Sequence, residues 1–319
     1  MCRYHNKCDY HLGTLMAWEA EMSDVQTERL RDYIGPLTNT DVWDDFKLRP
    51  DDVIVSTPPK CGTTWTLNIV MMLIYGRVVP EAGNREDAPW LDAAFRDRKA
   101  MAASQSKLER RRCIKTHTPM DGIAVGAEPT YIAVYRHPVD VYFSFRNHVE
   151  NMKDNSDLIE MVPPDIRKGF DRFVDGPLTD TGIDDLTVSS IVHHYLQAKA
   201  RQPKGNVHFL HYADLSRDLR GQIARLADLL DIPLSSDTLD DLTEANTFAS
   251  MRQAAEASEM RFHESAPMHD MASFFASGTS NKWEDRLTSE DIDRYSARLA
   301  SLLPPEDAAW LNWGDQRKP

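Results

Sequence analysis

A lysine, a glycine and two threonines stand between a predicted strand and a predicted helix. Residues 59–65, Pro-Lys-Cys-Gly-Thr-Thr-Trp, follow the β-branched apolar run at residues 53–57 and open a helix-like apolar stretch. Backbone N–H groups at a helix N-terminus lack helical partners, and the helix dipole favours negative charge there. This P-loop-like strand-loop-helix therefore predicts a phosphate-binding loop.

The order of residues in this loop differs from that of nucleoside triphosphatases. Lys60 precedes Gly62 instead of following it, and Cys61 stands where a Mg²⁺-binding Ser or Thr would follow the lysine. An ordinary ATP or GTP hydrolase is therefore disfavoured, and a kinase is disfavoured for the same reason. A strand-loop-helix turn that binds no ligand stays open from this segment alone.

Further segments, in the same order, resemble the cytosolic sulfotransferases, which use 3′-phosphoadenosine 5′-phosphosulfate (PAPS). The loop STPPKCGTTW resembles the family's TYPKSGTTW, and IKTHTP at residues 114–119 is similar to its KTHLP segment. Residues 131–144, YIAVYRHPVDVYFS, resemble the segment that places an arginine and a serine on the nucleotide 3′-phosphate. FLHYAD at residues 209–214 resembles FLxYED, and NTF at 246–248 with Met251 resembles TSFxxM. The resemblance spans about residues 41 to 299.

The resemblance implies a catalytic set. Sulfuryl transfer needs a base for the attacking hydroxyl, and histidine, with an ordinary pKa of roughly 6.5, suits that task. His117 is the expected base, and Lys60 is expected beside the bridging oxygen, where negative charge develops. Lys115 is expected near the sulfuryl group, and Ser144 belongs to the same set while also contacting the 3′-phosphate with Arg136. The other residues expected to bind the nucleotide are Cys61, Gly62, Thr63, Thr64, Trp65, Tyr212, Thr247, Phe248, Met251 and Gly278.

Ordinary structural roles remain the alternative for each of these residues taken singly. His117 could be a hydrogen-bonded structural histidine, Arg136 an ion-pair partner and Ser144 a helix residue bonded to its own backbone. Phe248 and Met251, at helical spacing, could belong to the core. Taken together with the ordered spacing, the functional interpretation is favoured.

The sequence departs from the family late in the chain. The family's RKGxxGxW segment is FASGTSNKW at residues 275–283, so Ala276 and Ser277 replace two cations that grip the 3′-phosphate. Losing such contacts predicts PAPS binding weaker by about tenfold or more per contact. Lys282, Arg286 and Arg252 are candidate substitutes.

Two smaller departures concern Cys61 and the oligomeric state. Cys61 replaces the family's serine, and its place at a helix N-terminus beside Lys60 predicts a lowered thiol pKa. The family's KxxxTVxxxE dimer motif has no convincing match after Trp283, so the oligomeric state is left open.

The elements that must position these residues alternate between strand and helix. Strands are predicted at residues 53–57, 113–116, 131–135 and 207–211, a helix at 138–151, and one further helix that begins after Asp214 and runs to about Leu230. Residues 153–190 are expected to form loops and a short helix around Phe170 and Phe173. This pattern predicts a single α/β domain with a mainly parallel central sheet flanked by helices. The expected divisions are an N-terminal extension and lead-in (1–36), a sulfotransferase domain (37–303) and a C-terminal tail (304–319).

The amino-acid composition limits the classes of binding partner and the cellular compartment that we expect. The 37 Lys and Arg residues stand against 50 Asp and Glu, a formal charge of −13 that disfavours broad nucleic-acid binding. No apolar run is long enough for a membrane span and no signal peptide is evident, while four scattered cysteines predict a reducing, cytoplasmic setting. The N-terminal group Cys2, His5, Cys8 and His11 could be written as a metal site, but its spacing is unlike that of structural zinc sites, so no metal is expected.

The expected function is sulfuryl transfer from PAPS to a hydroxyl, or less readily an amine, of a small-molecule acceptor. The alternatives are a catalytically weak nucleotide-binding protein on the same fold and a small-molecule kinase. The acceptor pocket is expected near His117 and the loops of residues 145–180, including His148.

Overall fold

The computed structural model describes residues 28–79, 87–154, 158–179, 184–262, 269 and 283–315. The N-terminal cysteine and histidine group, residues 276–278 and Lys282 lie outside the described residues.

Four parallel strands form the central sheet of the described chain, in the order β2-β1-β3-β4. The strands are β1 (Val53–Ser56), β2 (Cys113–Thr116), β3 (Thr130–Tyr135) and β4 (Val207–His211), which confirms the predicted parallel sheet. Ser56 pairs with Thr116 on one side and with Ala133 on the other, so the carboxyl ends of β1 and β2 lie level. The chain places β2 and β3 on opposite sides of β1. Ligands of open α/β sheets bind at such a switch point.

Helices connect and cover the strands. They are α1 (Val42–Asp45), α2 (Thr63–Tyr75), α3 (Arg98–Ser106), α4 (Pro138–Glu150), α5 (Ile166–Asp175), α6 (Val188–Arg201), α7 (Tyr212–Arg217), α8 (Leu219–Leu229), α9 (Ser236–Ala245), α10 (Phe248–Phe262), α11 (Ser289–Leu302) and α12 (Pro305–Trp313). In none of the ranges that the structure describes is a helix both long enough and apolar enough to cross a bilayer.

The sheet is buried on both faces. Ile54 and Tyr131 belong to one apolar cluster, whereas Val55 and Ile132 belong to the other. Adjacent residues of a strand point to opposite faces, so these apolar runs fill two layers of core at once. The core thereby fixes the positions of the loops at the strand ends.

The helix predicted from Asp214 to Leu230 is interrupted, which corrects that prediction. Asp218 adopts φ −141° and ψ 68°, outside the helical range, and separates α7 from α8. Its side chain accepts a hydrogen bond of 2.9 Å from the Gly221 N–H and so begins α8 as an N-cap.

The segment after residue 303 contains a packed helix. The Trp310 ring of α12 stacks on Tyr195, with centroids 5.7 Å apart and planes 28° apart, and Leu311 is fully buried. The backbone oxygen of Leu311 also accepts a hydrogen bond of 3.1 Å from His211 at the end of β4. The C-terminal segment therefore packs against the sheet edge that carries β4.

Candidate active site

One predicted site residue follows the carboxyl end of each strand. Lys60 follows β1, while His117, Arg136 and Tyr212 come directly after β2, β3 and β4. Because the strands are parallel, these four residues lie along the same edge of the sheet. The sheet order therefore gathers residues that are widely separated in sequence.

The loop between β1 and α2 has an unusual backbone. Lys60 has φ +67° and Gly62 has φ +108°, both in the left-handed region. A Cβ atom on Gly62 would lie 3.1 Å from Cδ2 of Tyr212, so glycine is favoured both by its φ and by the close approach of this ring. The strained lysine backbone is typical of a functional loop.

The first turn of α2 carries a hydroxyl group that is placed to bind an anion. Thr63 is the first residue of the helix and is buried, and its Oγ1 atom has no hydrogen-bond partner among the described residues. Buried hydroxyl groups are ordinarily hydrogen-bonded. The Thr63 hydroxyl and the N-terminal N–H groups of α2 therefore fit a phosphate group, and Thr64 lies half-buried beside them.

Aromatic and cationic side chains meet behind this loop. The Trp65 and Tyr212 rings lie edge to face, with centroids 5.3 Å apart, and Cζ of Arg136 lies 4.2 Å from the centre of the Tyr212 ring. The Trp65 indole donates a hydrogen bond of 2.9 Å to the backbone oxygen of Asn246. Three predicted residues from three parts of the sequence are thus in contact.

The segment at residues 246–251 is anchored to α2. Asn68 Nδ2 donates a 3.1 Å hydrogen bond to the buried side chain of Asn246, and Thr247 Oγ1 accepts one of 3.2 Å from the Ser250 N–H at the start of α10. Phe248 is half-buried, whereas Met251 belongs to the apolar cluster that includes Trp65 and Tyr212. The structure thus gives Met251 a core contact.

The structure describes Ser144 and two of the three candidate substitute cations, Arg252 and Arg286. Ser144 is half-buried on α4. Arg286 packs its guanidinium over the neighbouring Phe143 ring, at 5.4 Å from the ring centre. Arg252 forms an exposed ion pair with Glu256 on α10, at 3.1 Å. Of these two arginines, Arg286 is the one in contact with the helix that carries Ser144.

His117 is held in one orientation. Its Nδ1 atom lies 2.6 Å from the backbone oxygen of Thr57, at the end of β1. A carbonyl oxygen only accepts, so Nδ1 carries the proton and Nε2 carries the lone pair. The Trp90 ring packs edge to face against the His117 imidazole, with the two ring centroids 4.8 Å apart, and restricts the imidazole further. This tautomer leaves a lone pair on Nε2, which a general base needs in order to accept a proton.

The surroundings keep His117 neutral. Burial and the positive charges of Lys115 and Lys60 hold its pKa well below the ordinary value, although the Thr57 hydrogen bond opposes them. Burial and the same two lysines lower the pKa of His148 to about 3. Both histidines therefore lie near enough to Lys60 and Lys115 for these positive charges to lower their pKa values.

Asp92 supports the segment that carries His117. Its Oδ2 atom accepts hydrogen bonds of 2.7 Å from the Thr116 and Thr118 hydroxyls and of 2.9 Å from the Trp43 indole. Burial raises the pKa of this carboxyl group, and the three hydrogen bonds oppose that effect. Sequence reasoning missed Asp92, and the only local sign was one acidic residue in the apolar run Trp90 to Ala94.

Trp90 was also missed. Nζ of Lys115 lies 4.5 Å from the centre of the Trp90 ring, and the Phe95 ring packs edge-on against it at 5.5 Å. Trp90 also pairs with Lys115 as an isolated parallel bridge beside β2. Lys115 and His117 thus both contact the Trp90 ring, a connection that the sequence alone did not show.

The prediction of a lowered thiol pKa at Cys61 is wrong. Cys61 is fully buried, and burial raises the pKa of its thiol to about 12, although the charge of Arg136 opposes that effect. Desolvation of the thiolate thus outweighs the nearby positive charge.

Comparisons with known proteins found a matching domain family and named relatives. The sulfotransferase domain family matches residues 50–303. A glycolipid sulfotransferase from Mycobacterium bovis is 30% identical over 299 residues, covering 85% of this chain and 91% of the relative. An amine sulfotransferase from Oryctolagus cuniculus is 26% identical over 262 residues, covering 79% of this chain and 80% of the relative.

Solved structures share the fold. A retinol dehydratase in complex with androsterone and the inactive cofactor PAP superposes with a TM-score of 0.65 at 19% identity, covering 89% of each chain. A mouse sulfotransferase complexed with PAP gives a TM-score of 0.65 at 16% identity, covering 85% of this chain and 92% of that one. Because the domain match covers most of the sequence and the mycobacterial relative aligns along nearly its whole length, this chain belongs to the sulfotransferase family.

Proposed function

We propose that this protein transfers a sulfuryl group from PAPS to a hydroxyl, or less readily an amine, of a small-molecule acceptor, with His117 as the general base. The observation that carries the proposal is the orientation of His117, whose Nδ1–H bond to the Thr57 carbonyl leaves the lone pair on Nε2, within the field of Lys60 and Lys115. A base beside two cations suits a reaction in which an anionic group is transferred to a hydroxyl.

The proposed reaction uses the chain's residues as follows. His117 Nε2 takes the proton of the acceptor hydroxyl while its oxygen forms a bond to sulfur. The bond between sulfur and the bridging phosphate oxygen breaks, and Lys60 neutralises the charge that develops on that oxygen. Nδ1–H stays bonded to the Thr57 carbonyl throughout, so the ring keeps its orientation.

The donor supplies the sulfuryl group, and the residues around the loop fit its phosphates. The unpartnered Thr63 hydroxyl and the start of α2 suit the 5′-phosphate. Arg136 and Ser144 are proposed to bind the 3′-phosphate, and Trp65 with Phe248 the adenine. The further proposed contacts with the nucleotide come from Cys61, Gly62, Thr64, Tyr212, Thr247, Met251 and Gly278.

Trp90 and His148 are proposed to line the acceptor side of the site. Trp90 contacts His117 directly, and His148 shares the field of the two lysines. Relatives of this chain are named for glycolipid and amine substrates, which supports a hydroxyl first and an amine second. A reducing, cytoplasmic compartment is proposed as well, since Cys61 and Cys113 are buried free thiols.

Two measurements test the function. Calorimetric titration with PAP, with 5′-AMP as the control, should give micromolar binding of PAP and much weaker binding of AMP. His117→Ala should retain PAP binding but lower sulfuryl transfer by about 10²- to 10⁴-fold, the usual contribution of a general base. His208→Ala is the matched control and should keep both properties, because His208 is a partly buried histidine at the second position of β4. Equal binding of the two nucleotides, or full turnover in His117→Ala, would refute the proposal.

A further inference from the structure

Helix α12 contacts the residue next to Arg136, although it follows residue 303, where the sulfotransferase domain match ends. Trp313, at the end of α12, packs its ring against the ring of His137, with the two centroids 4.8 Å apart. His137 comes directly after Arg136, at the carboxyl end of β3. A segment outside the domain match thus reaches the neighbour of a residue that is proposed to bind the nucleotide.

His137 determines how the chain passes from β3 into α4. Its Nδ1 atom accepts a hydrogen bond of 3.2 Å from the Val139 N–H, which makes His137 the N-cap of α4. The first turn of this helix carries Asp140, whose Oδ2 atom lies 4.0 Å from Nη2 of Arg136. The cap therefore fixes both the backbone next to Arg136 and the carboxylate that faces its guanidinium.

Three aromatic rings enclose the His137 imidazole. The Trp283 ring lies 5.8 Å from it and is nearly parallel, at 28°, while the Tyr295 ring of α11 lies 5.7 Å away. The Tyr295 hydroxyl donates a hydrogen bond of 2.6 Å to Oδ1 of Asn312, so α12 also holds this second ring. Trp313 makes the shortest of the three ring contacts. Helix α12 therefore restricts His137 both directly and through Tyr295.

The end of α12 is anchored to α7. Arg217 of α7 donates a hydrogen bond of 3.3 Å to the backbone oxygen of Trp313, and the Asp315 N–H lies 3.1 and 3.3 Å from the two carboxylate oxygens of Asp214. Gly314 has φ +74°, and a Cβ atom there would lie 2.5 Å from Oδ2 of Asp214, so glycine is favoured at this turn. The anchor gives the Trp313 ring a fixed place against His137.

The orientation of Arg136 matters for the proposed contact with the 3′-phosphate. Arg136 is buried, and its Cζ atom lies 4.2 Å from the centre of the Tyr212 ring, so its guanidinium has little room to adjust when its backbone shifts. Charge-assisted hydrogen bonds to phosphate depend on such geometry. A loosened His137 ring should therefore lower the affinity for a nucleotide with a 3′-phosphate and spare a nucleotide without one.

We propose that Trp313 is a positioning residue for donor binding, which acts through His137 to hold Arg136 in the orientation that binds the 3′-phosphate. The inference rests on the proposed function, because that function assigns the 3′-phosphate to Arg136. It makes α12 a part of the donor site.

Calorimetric titration of Trp313→Leu with PAP and with 5′-AMP tests this role. The affinity for PAP should fall by about tenfold, the loss expected when one charge-assisted hydrogen bond is weakened, while the affinity for 5′-AMP stays within about twofold. Trp313→Phe keeps a ring against His137 and should restore most of the PAP affinity. Equal losses for the two nucleotides, or an unchanged PAP affinity in Trp313→Leu, would overturn the proposal.

A double-mutant cycle with Arg136→Gln shows whether the loss passes through Arg136. Arg136→Gln alone should lower the affinity for PAP, and adding Trp313→Leu should then lower it by less than about twofold more. Fully additive losses would overturn the proposal, because Trp313 would then act on PAP binding independently of Arg136.

Tyr195→Phe is the matched control. It removes the hydrogen bond of 2.9 Å from the Tyr195 hydroxyl to Asp307, in the first turn of α12, and so loosens the same helix at the end opposite Trp313. Both nucleotides should bind this variant as they bind the wild type, and urea unfolding gives the stability of each variant. A loss of PAP affinity equal to that of Trp313→Leu would reduce the effect to stability and overturn the proposal.

The outcomes separate this proposal from the proposed function. If the wild type binds PAP no better than 5′-AMP, the proposed function is refuted and this inference falls with it. If PAP is preferred but Trp313→Leu keeps that preference, the function stands and the role of Trp313 is refuted. If the preference depends on Trp313 but no sulfuryl group is transferred, the positioning role stands and the function fails.

Discussion

Replacing His211 by asparagine should make the protein less sensitive to acid. Nδ1 of His211 accepts a hydrogen bond of 3.1 Å from the Ala213 N–H, and Nε2 donates one of 3.1 Å to the Leu311 oxygen. The neutral ring satisfies both contacts, whereas a proton on Nδ1 would remove the first. Burial lowers the pKa of His211 to about 4, although the Leu311 contact opposes it. Folding therefore requires the neutral form.

The sign and size of the effect follow from this lowered pKa. The unfolded chain takes up a proton near the ordinary pKa of about 6.5, while the folded chain does not until about pH 4. The free energy of unfolding is therefore unaffected by this group above pH 6.5, falls between pH 6.5 and 4, and levels off below. Between pH 7.0 and 5.5 the loss due to His211 is about 1.2 kcal/mol.

Urea unfolding at pH 7.0, 6.5, 6.0 and 5.5 measures this difference. His211→Asn keeps an oxygen that can cap the Ala213 N–H but has no proton to gain in this range. Other titrating groups change both proteins alike, so the difference between wild type and variant isolates His211. The wild type should lose about 1.2 kcal/mol more than the variant between the two extremes. Parallel pH curves would show that burial does not keep His211 neutral and would refute the reasoning.

Three further predictions concern the site itself. Alkylation by iodoacetamide, mapped by mass spectrometry, should leave Cys61 unmodified in the native protein and modify it in urea, because its thiol is buried and its pKa is raised. Modification of Cys61 in the native state would contradict this prediction. Gly62→Ala should lower the free energy of unfolding by about 1–3 kcal/mol and weaken PAP binding, since alanine must adopt a positive φ against Tyr212; unchanged urea and calorimetric titrations would contradict it. Asp92→Asn should lower the free energy of unfolding by about 1–3 kcal/mol. The reason is that the new N–H group replaces Oδ1, a buried atom with no partner among the described residues. Its kcat should fall while the KM for PAPS stays constant, since Asp92 holds the threonines beside His117; a changed KM alone would argue against that role.

The parts of this structure that the sequence predicted depend on local patterns. Strands such as β3 were predictable because a strand buried on both faces is an unbroken apolar run, as at Ile132 to Val134. The helix break at Asp218 was not predictable, because an aspartate in a periodic stretch gives no sign that it caps a new helix. The pKa of Cys61 was mispredicted because burial depends on residues distant in sequence. Asp92 was missed for the same reason: the residues that donate hydrogen bonds to its side chain lie from 24 to 49 residues away.

The positive charges near His117 stand out in an acidic chain, and they affect the chemistry of the site through the pKa of His117. The protein carries a formal charge of −13, yet Lys60, Lys115 and Arg136 all lie at or beside the carboxyl ends of β1, β2 and β3. Two of these cations, Lys60 and Lys115, help to keep the pKa of His117 low, so the proposed base is neutral but weak in the free protein. We expect an anionic donor bound among them to offset their charge and to raise the pKa of His117 towards the range of an effective base. Because an anion that raises the proton affinity of His117 must itself bind more tightly when His117 is protonated, the binding of the donor and the strength of the base are thermodynamically coupled. In the proposed mechanism, Lys60 and Lys115 therefore both attract the donor and keep the pKa of His117 low until the donor binds.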